Sequence, residues 1–586
     1  MISYRVLTHP RSIITTARIQ LLQPQRSLTQ LTKSVVPPNE FEDFKVANEP
    51  ILGYDKGTKE RRVLESALEK YSSETMEVPI VIGDKEYKTD NVRYQVMPHN
   101  HKKKLAKFYY ATPDLLNLAM TTAVKAQKEW DRVPFNDKFK MWLKAADMMA
   151  GPWRPRLNAT TMLGQGKTVI QAEIDAAAEL IDFIRMNAFF AKEVLKYQPL
   201  SPSPEVYRNH LKLRGLEGFV AAVAPFNFTA IGGNLAYTPA LMGNGVLLKP
   251  SDTAVLSNYV IFQIMKEVGV PSGVVNFVPS DGPVFGDAIT ASPDLAGINF
   301  TGSVPTFSRL WSQVGNNLSK YKNFPRLIGE CGGKNFHFVH PSADVTSVVM
   351  ATIRSAFEYS GQKCSACSRM YVPQSIWPKV KEGLVENMKK LKIGPVNDFS
   401  VFTSAVIDER AFDRISGYID HAKKNLTILQ GGEYDKSDGY FIKPTLIETK
   451  DPMVFFSGTR PQDKIMREEI FGPVLAVYAY PDAEVEKSLH LVDTSTPYAL
   501  TGAIFSLDEA FLTHAKEYLK YSTGNMYLND RSTGSVVGQQ PFGGGRMSGT
   551  NDKAGGPHNI LKWSSPITIK ETYVQTKEWT YSYMNS

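Results

Sequence analysis

Short apolar runs alternate with helix-length amphipathic stretches over most of this chain, a pattern that predicts a parallel sheet covered by helices. Between residues 218 and 316 the strand-like runs are GFVAAV, VLLK, VVNFV and GINF. Helix-like segments accompany them, and in SNYVIFQIMKEVG the apolar residues fall on one helical face before Gly269 ends the helix. Ligands of such sheets bind beyond the carboxyl ends of the strands, so we expect a site there.

Two further regions extend this pattern. Strand and helix signals alternate again from about Phe336 to Asn529 and predict a second α/β region. Upstream, DLLNLAMTTAVKAQKEW is predicted to be a helix that starts after Thr112 and stops near Pro134, and DKFKMWLKAADMMA is predicted to form the next helix. A chain of 586 residues is therefore expected to form two or three domains with a large core.

Charge is concentrated at the amino terminus. Residues 1–39 hold five Arg or Lys and no acid, which leaves about +3 of the net +8 for the rest of the chain. We therefore expect no nucleic-acid partner. An acid-free segment rich in Arg, Ser and Thr is typical of a mitochondrial transit peptide, assigned here to residues 1–37, and it predicts a location in the mitochondrial matrix. A disordered basic tail is the alternative.

Composition narrows the class of protein further. Hydrophobic residues make up 42% of the chain and charged residues 22%, as in ordinary globular proteins. No run of eighteen apolar residues occurs, so no membrane span is predicted. Three cysteines in so long a chain argue against a disulfide framework and for a reducing compartment.

The candidate chemistry centres on one cysteine and one glutamate. Cys364 lies in the loop GQKCSACSR, and Glu330 lies in GECGGKN, thirty-four residues upstream. A thiolate can add to an aldehyde carbonyl, a hydride can leave, and a base-activated water can then cleave the acyl-enzyme. The nearby glycines suit a backbone that closely approaches a substrate or cofactor.

Three other matches are weaker. Gly166-Lys167-Thr168 resembles the end of a phosphate-binding loop, but Thr161 stands where that loop needs glycine. Cys364 and Cys367 have the spacing of a redox pair or half a zinc site, but no second pair of ligands accompanies them. We therefore expect no metal. No Gly-x-Gly-x-x-Gly motif is present, so a dinucleotide site would have to use another loop.

The segments AVAPFNFTA, VLLKPSD, FTGS, GECGGKN, GQKCSACSR, EEIFGPV and QQPFGGGRMSG resemble, in order and spacing, the motifs of the aldehyde dehydrogenase superfamily. The resemblance covers roughly residue 40 to the end. It is strongest to the members that oxidise glutamate γ-semialdehyde to glutamate, the second step of proline breakdown, because Lys363 precedes the nucleophile and a Ser-Thr-Gly-Ser loop begins at Ser532. It implies an α/β fold with a Rossmann-like NAD domain, an α/β catalytic domain and a small β-flap for oligomerisation.

The resemblance also implies residue roles. Cys364 is expected to be the nucleophile, Glu330 the base that activates water, and Asn227 an oxyanion donor together with the backbone N–H of Cys364. The cofactor is expected to be NAD, because an acidic residue at position 252 repels the 2′-phosphate of NADP. The expected cofactor-binding residues are Lys249, Ser251, Asp252, Gly302, Ser303, Glu469 and Phe471. Phe307 replaces a glycine common in the family and predicts an altered pyrophosphate pose.

Substrate selection requires a site for an amino-acid head group as well as for the aldehyde. Lys363 supplies a positive charge for the α-carboxylate, and the other expected contacts are Ser365, Gly534, Ser535, Phe228, Phe542 and Glu179. Phe228 and Phe542 are expected to sandwich the aliphatic chain, and Glu179 to pair with the α-ammonium. A site with buried polar partners rejects analogues that leave those partners unpaired.

The resemblance divides the chain into an NAD-binding domain (38–205 and 220–331), a catalytic domain (332–535) and an oligomerisation flap (206–219 and 550–586). The flap predicts a homodimer, because its edge strand can extend a partner's sheet. Residues 452–464 are predicted to be a surface insertion. Three alternatives stay open: a dehydrogenase for another semialdehyde such as succinic semialdehyde, a catalytically silent protein of this fold, and a Cys-x-x-Cys thiol oxidoreductase.

Overall fold

Apolar strands build two seven-stranded sheets in the part of the chain that the structure, a computed structural model, describes: residues 44–449 and 463–586. The predicted transit segment 1–37 and nearly all of the predicted insertion 452–464 lie outside these residues. Val46–Ser586 forms a single compact unit. No helix among the described residues combines the length and the apolar character needed to cross a membrane.

The first sheet contains the strands predicted between residues 218 and 316. Four of its five parallel strands are almost wholly buried, which is why their sequences are mostly apolar rather than alternating, and the edge strand Arg326–Glu330 is mostly half-buried. Two antiparallel strands from the N-terminal region extend one edge. In spatial order the strands are Arg326–Glu330, Leu295–Thr301, Phe219–Val223, Gly245–Lys249, Val275–Phe277, Ile80–Ile82 and Lys85–Tyr87.

Helices connect and flank these strands, and all of the helices predicted here are confirmed. The helix that contains SNYVIFQIMKEVG buries its predicted apolar face. Thr112 caps the helix that follows it through a hydrogen bond from the backbone N–H of Leu115, as its position before Pro113 predicted. The helices are Pro113–Trp130, Phe135–Ala150, Thr229–Leu241, Val255–Glu267, Gly282–Ala291 and Val304–Asn316.

The second sheet confirms the predicted α/β region downstream of residue 335. One edge strand is antiparallel and the other strands run parallel. The strands are, in spatial order, Thr427–Gln430, Thr445–Thr449, Val474–Tyr480, Cys367–Pro373, Asn335–Val339, Thr501–Phe505 and Asn525–Leu528. Its helices are Val345–Phe357, Trp377–Met388, Glu409–Asn425, Lys464–Arg467, Val485–Thr494 and Glu509–Tyr518.

The region before residue 200 contains elements that the sequence did not predict. The helix Lys59–Ser73 is followed by a small sheet made of Met76–Val78, Asn100–Tyr109 and Val92–Met97. A helical layer then leads towards the two sheets. It consists of Arg154–Gln165, Val169–Ala172, the π-helical turn Glu173–Glu179 and Leu180–Val194. This layer supplies one wall of the site described below.

A two-stranded antiparallel ribbon joins distant parts of the chain. Tyr207–Lys212 pairs with Ile567–Thr572, in the two segments where the flap is predicted. Residues 549–554 belong elsewhere, because Glu330 and Gly549 form one backbone bridge and Phe542 and Ala554 another. The short helix Pro557–Leu561 lies between these bridges and the ribbon. The use of the ribbon in oligomerisation and the exact domain boundaries stay predictions.

Candidate active site

A cavity of about 110 Å³ lies between the two sheets and the helical layer. Of the ten residues predicted for catalysis or substrate binding, all except Asn227 line it: Glu179, Phe228, Glu330, Lys363, Cys364, Ser365, Gly534, Ser535 and Phe542. Its lining also includes residues that sequence reasoning did not identify, among them Phe183, Glu358, Arg531 and Lys553. Residues that are far apart in sequence therefore meet around one enclosed space.

The loop that carries Cys364 is held in a constrained backbone conformation. Tyr359 and Ser360 both have φ angles near +50°, in the left-handed region that non-glycine residues rarely adopt. Thr403 holds Ser360 by accepting a hydrogen bond from its backbone N–H at 2.7 Å. The side-chain amide of Asn335 donates to the carbonyl oxygen of Cys364 at 2.6 Å. These contacts fix the position of the Cys364 thiol next to the cavity.

The environment of Cys364 disfavours its thiolate. The residue is buried, and burial raises its thiol pKa well above the usual range. The carboxylates of Glu330, Glu469 and Glu179 add to this shift because each repels a negative sulfur. Both effects favour the protonated thiol over the thiolate.

Glu330 lines the same cavity as Cys364. It ends the strand Arg326–Glu330, and its Oε1 atom is shielded from solvent and has no hydrogen-bond partner among the described residues. Burial raises the pKa of this carboxyl to about 8, while the ammonium of Lys553 acts in the opposite direction. Lys553 is itself held by the carbonyl oxygens of Gly524 and Gly543, at 2.6 and 3.1 Å. A carboxyl with this pKa can exchange protons near neutral pH.

Asn227 lies beside the loop that carries Cys364, although it does not line the cavity. Its side chain is buried, and its amide donates to the carbonyl oxygen of Gln362 at 3.2 Å. It follows the strand Phe219–Val223, at the carboxyl end where the parallel strands predict a site.

Lys363 and Glu358 form a buried ion pair at the cavity wall, with 2.9 Å between Nζ and Oε2. The second carboxylate oxygen of Glu358 accepts from Arg354 at 2.8 Å. Burial alone would raise the pKa of Glu358, but the two cations lower it to about 2. The sequence identified Lys363 but missed Glu358, because helix and loop bring the two side chains together only in the folded chain.

A second buried ion pair supports the wall formed by Phe228. Lys167 and Asp175 are fully buried and 2.8 Å apart. Asp175 also accepts hydrogen bonds from the backbone N–H groups of Thr229 and Ala230, at the start of the next helix. The Lys167 ammonium lies 3.8 Å from the centre of the Phe228 ring. Lys167 thus supports a residue that lines the cavity without lining it itself, and its resemblance to a phosphate-binding loop was coincidental.

Glu179 ends the π-helical turn, at the edge of the cavity. Burial raises the pKa of its carboxyl, and the negative charge of Asp175 raises it further. Ser535, on the opposite wall, donates its hydroxyl hydrogen to the carbonyl oxygen of Gln540 at 2.7 Å. Gly534 beside it has a φ of +88°, a conformation that glycine adopts without strain.

The predicted cofactor residues lie at the carboxyl ends of the first sheet and on a loop of the second. Gly302 makes the turn before the helix Val304–Asn316, and a Cβ atom there would come within 2.7 Å of the Phe300 ring. Ser303 occupies the N-cap position of that helix without capping it through its side chain. The helix start therefore has backbone N–H groups that suit a pyrophosphate. Phe307 is buried and stacks on Phe300, with 5.3 Å between ring centres.

The remaining cofactor residues suit the two riboses. Asp252 accepts a hydrogen bond from the Tyr110 hydroxyl, and its Oδ1 atom has no partner among the described residues. The side chain of Glu469 accepts from the backbone N–H of Gly333 at 2.8 Å, and burial raises the pKa of its carboxyl to about 7. Both carboxyl groups thus offer an acceptor for ribose hydroxyls, and the residues present fit NAD.

Three smaller observations concern the other predicted cofactor-binding residues. Burial lowers the pKa of Lys249, whose ammonium donates to the carbonyl oxygen of Pro250 at 3.2 Å. The Ser251 hydroxyl shares a hydrogen bond with that of Thr253 at 3.2 Å. Phe471 has a φ of +54°.

No group of three or more His, Cys, Asp or Glu residues within 44–449 and 463–586 is arranged to hold a metal ion.

Comparisons with known proteins agree with this arrangement. The sequence profile of the aldehyde dehydrogenase family matches residues 87–569. The chain is 58% identical to the mitochondrial delta-1-pyrroline-5-carboxylate dehydrogenase of Danio rerio over 543 residues, and 57% identical to that of Homo sapiens over 544. Both alignments cover 92% of this chain, and they cover 96% and 95% of the relatives.

A solved structure extends the comparison to three dimensions. The delta-pyrroline-5-carboxylate dehydrogenase of Mycobacterium tuberculosis, bound with NAD, is 43% identical in sequence and superimposes with a TM-score of 0.87. The match covers 92% of this chain and 98% of that one. Together with the two sheets, it confirms the fold class expected from the sequence motifs.

Proposed function

Because this chain belongs to the aldehyde dehydrogenase family, we propose that it oxidises L-glutamate γ-semialdehyde to L-glutamate, with NAD as the cofactor. The semialdehyde is the open form of Δ1-pyrroline-5-carboxylate, and its oxidation is the second step of proline breakdown. One observation carries the proposal: the thiol of Cys364 and the ammonium of Lys363 lie on consecutive residues lining the same cavity. A single small molecule can therefore present an aldehyde to one and a carboxylate to the other.

The reaction begins when Cys364 loses its proton to the ionised carboxylate of Glu330. The sulfur then adds to the aldehyde carbon, and a C–S bond forms while the carbonyl oxygen becomes an alkoxide. The side-chain amide of Asn227 and the backbone N–H of Cys364 stabilise that alkoxide. One such donor is typically worth about 2.7–4 kcal/mol of barrier. NAD held by the cofactor residues would supply the acceptor for the hydride that leaves the same carbon as the C=O bond re-forms.

Glu330 performs the second half of the reaction, the cleavage of the resulting thioester. Glu330 first releases the proton it took from Cys364 to solvent. Its carboxylate then takes a proton from a water molecule, and the hydroxide adds to the acyl carbon. As the C–S bond breaks, the sulfur takes that proton from Glu330, and the product leaves as glutamate after its new carboxyl group loses a proton to solvent. The shielded Oε1 atom, with no other partner among the described residues, is free to hold that water.

The head group of the substrate is recognised by charged residues that line the cavity. Lys363 pairs with the α-carboxylate, together with donors from Ser365, Gly534 and Ser535. Glu179 pairs with the α-ammonium, whose positive charge favours the ionised form of this carboxyl. Phe228 and Phe542 enclose the aliphatic chain.

NAD is held by the residues at the strand ends. Gly302 and Ser303 receive the pyrophosphate, Lys249, Ser251 and Asp252 the adenosine ribose, and Glu469 and Phe471 the nicotinamide ribose. The free acceptor on Asp252 supports a preference for NAD over NADP, because a 2′-phosphate would meet a like charge.

The protein is mitochondrial, as its relatives from Danio rerio and Homo sapiens are named. Its acid-free N-terminal segment supports the further proposal that it acts in the matrix. We also propose a homodimer. The ribbon formed by Tyr207–Lys212 and Ile567–Thr572 has only two strands, so its edges can pair with a second copy.

The test measures NADH formation by the protein without the predicted transit segment 1–37, with pyrroline-5-carboxylate, succinic semialdehyde and propanal as substrates. We expect turnover with pyrroline-5-carboxylate and its loss in Cys364→Ala. In Lys363→Met, kcat/KM for pyrroline-5-carboxylate should fall about ten- to hundredfold. The value for propanal should change little, because propanal has no carboxylate that could pair with Lys363. A preference for succinic semialdehyde would instead assign another substrate to the same chemistry.

A further inference from the structure

The segment before the first helix connects two walls of the cavity. The side-chain amide of Asn48 donates to Asp182 Oδ2 at 2.8 Å and to the carbonyl oxygen of Val537 at 2.9 Å. Its own oxygen accepts from the side chain of Gln539 at 2.9 Å. One asparagine near the amino terminus thus bonds to a helix and to a loop 489 residues further along the chain.

The two elements that Asn48 joins both contribute to the cavity lining. Asp182 is in the first turn of the helix Leu180–Val194, which carries Phe183. Val537 and Gln539 follow Gly534 and Ser535 in one loop. Phe183, Gly534, Ser535 and Val537 all line the cavity. The gap between the helix and this loop is the space in which the substrate head group is proposed to bind.

Asn48 is itself held by a rigid base. The neighbouring Glu49 forms an ion pair with Arg154 at 2.6 Å, and its backbone N–H donates to Asp182 at 2.7 Å. Arg154 also donates to the carbonyl oxygen of Pro50 at 2.7 Å and pairs with the buried Glu173. Because these contacts do not involve the side chain of Asn48, the segment should stay in place when that side chain is shortened.

Close apolar contacts also join the helix to this side of the cavity. A Cβ atom added at Gly538 would come within 3.0 Å of the Met186 sulfur, and one at Gly555 would lie near both Val537 and Phe183. Apolar packing is not directional, so it brings the two walls together without fixing the register between them. The hydrogen bonds of Asn48 are directional and can set that register.

We propose that Asn48 is a positioning residue for the substrate head group, which sets the distance between the helix carrying Phe183 and the loop carrying Gly534 and Ser535. The expected change in KM rests on the proposed function. The expected change in the mobility of the loop does not. Without Asn48 the loop should sample more conformations. The backbone donors for the α-carboxylate would then be less well ordered, while the Cys364 loop would be unaffected.

The experiment compares Asn48→Ala with Thr58→Ala. Thr58 lies in the same N-terminal region and caps the helix Lys59–Ser73 by accepting from the backbone N–H of Arg61, without lining the cavity. Hydrogen exchange of the peptide spanning residues 534–543 should become faster in Asn48→Ala and stay unchanged in Thr58→Ala. The KM for glutamate semialdehyde should rise about tenfold in Asn48→Ala, with kcat and the kinetics with propanal unchanged.

Two results would overturn the proposal: unchanged exchange in the 534–543 peptide, or an equal loss of activity with both aldehydes. If Asn48→Ala does not fold, Gln539→Ala removes one of the same hydrogen bonds from the exposed side and should give a smaller change in the same direction. If the unaltered protein does not oxidise glutamate semialdehyde, the proposed function fails, and the exchange measurement still decides the role of Asn48.

Discussion

Replacing Glu330 with glutamine should separate the two halves of the reaction. The substitution keeps the size of the side chain but removes its ability to take a proton from water. Hydride transfer needs only one round of thiol deprotonation, whereas every further turnover requires hydrolysis of the thioester. We therefore expect Glu330→Gln to form the acyl-enzyme slowly and then to stop.

The size of the effect follows from the burial of this carboxyl. With a pKa of about 8, Glu330 is ionised in about one molecule in ten at pH 7, and in most molecules by pH 9. Hydrolysis by the unaltered protein should thus rise about tenfold over this range, because the ionised form is the active one. Loss of a general base typically costs about 10²- to 10⁴-fold in rate. Glu330→Gln should therefore hydrolyse the thioester more slowly by that factor, and its rate of hydrolysis should not rise between pH 7 and pH 9.

The assay is stopped-flow measurement of NADH absorbance with pyrroline-5-carboxylate in excess. The variant should give up to one NADH per active site followed by almost no steady-state rate. Mass spectrometry should find glutamate attached to Cys364. As a second probe, Lys553→Met should move the alkaline rise of the intact enzyme to higher pH, because the Lys553 ammonium lowers the pKa of Glu330.

Steady turnover in Glu330→Gln with an unchanged pH profile would refute this reasoning. It would mean that another group both deprotonates Cys364 and activates the water, because every turnover requires both steps. An acyl-enzyme that forms but does not accumulate would lead to the same conclusion.

Three further predictions concern the cavity walls and the cofactor turn. Lys167→Met should lower the free energy of unfolding in urea by about 3–5 kcal/mol, because Asp175 stays buried without its partner; a change below 1 kcal/mol would contradict this. The pKa of Glu358 falls from 4.5 to about 2 on folding, so its contribution of about 3 kcal/mol is present above pH 4.5 and is lost as the pH falls towards 2. Glu358→Gln should therefore lower the thermal midpoint at pH 7 more than at pH 3, and an equal drop at both would argue against the ion pair. Gly302→Ala should raise the KM for NAD but not for the aldehyde, because the new Cβ atom would press on the Phe300 ring. An unchanged KM for NAD would show that this turn does not bind the cofactor.

The sequence predicted the two central sheets because their buried strands are short, continuous apolar runs. It did not predict the strand Asn100–Tyr109, whose NHKKKLAKFY sequence combines three consecutive lysines with a buried end. Its first half is exposed or half-buried and its second half is mostly buried, so the strand lacks the alternation of apolar and polar residues that would have identified it.

The candidate site was predicted in part, for a related reason. Cys364, Glu330 and Lys363 lie in recognisable motifs, and the structure places all three at one cavity. Glu358, Asp175 and the other partners of the buried cations have no motif of their own. Their importance depends on which side chains meet after folding, and a sequence does not give those distances.

The residues that line the cavity come from positions 171 to 559, and a residue near the amino terminus supports two of its walls. Asn48 bonds to Val537, and Glu330 forms a backbone bridge with Gly549. Contacts between residues so distant in sequence carry a high loop-closure cost and are expected to form late in folding. A chain still emerging from a ribosome or translocation pore would thus hold Cys364 in an ordinary, unenclosed loop. Aldehyde oxidation would then begin only once the last segment is in place, so that catalytic activity would report the completion of folding.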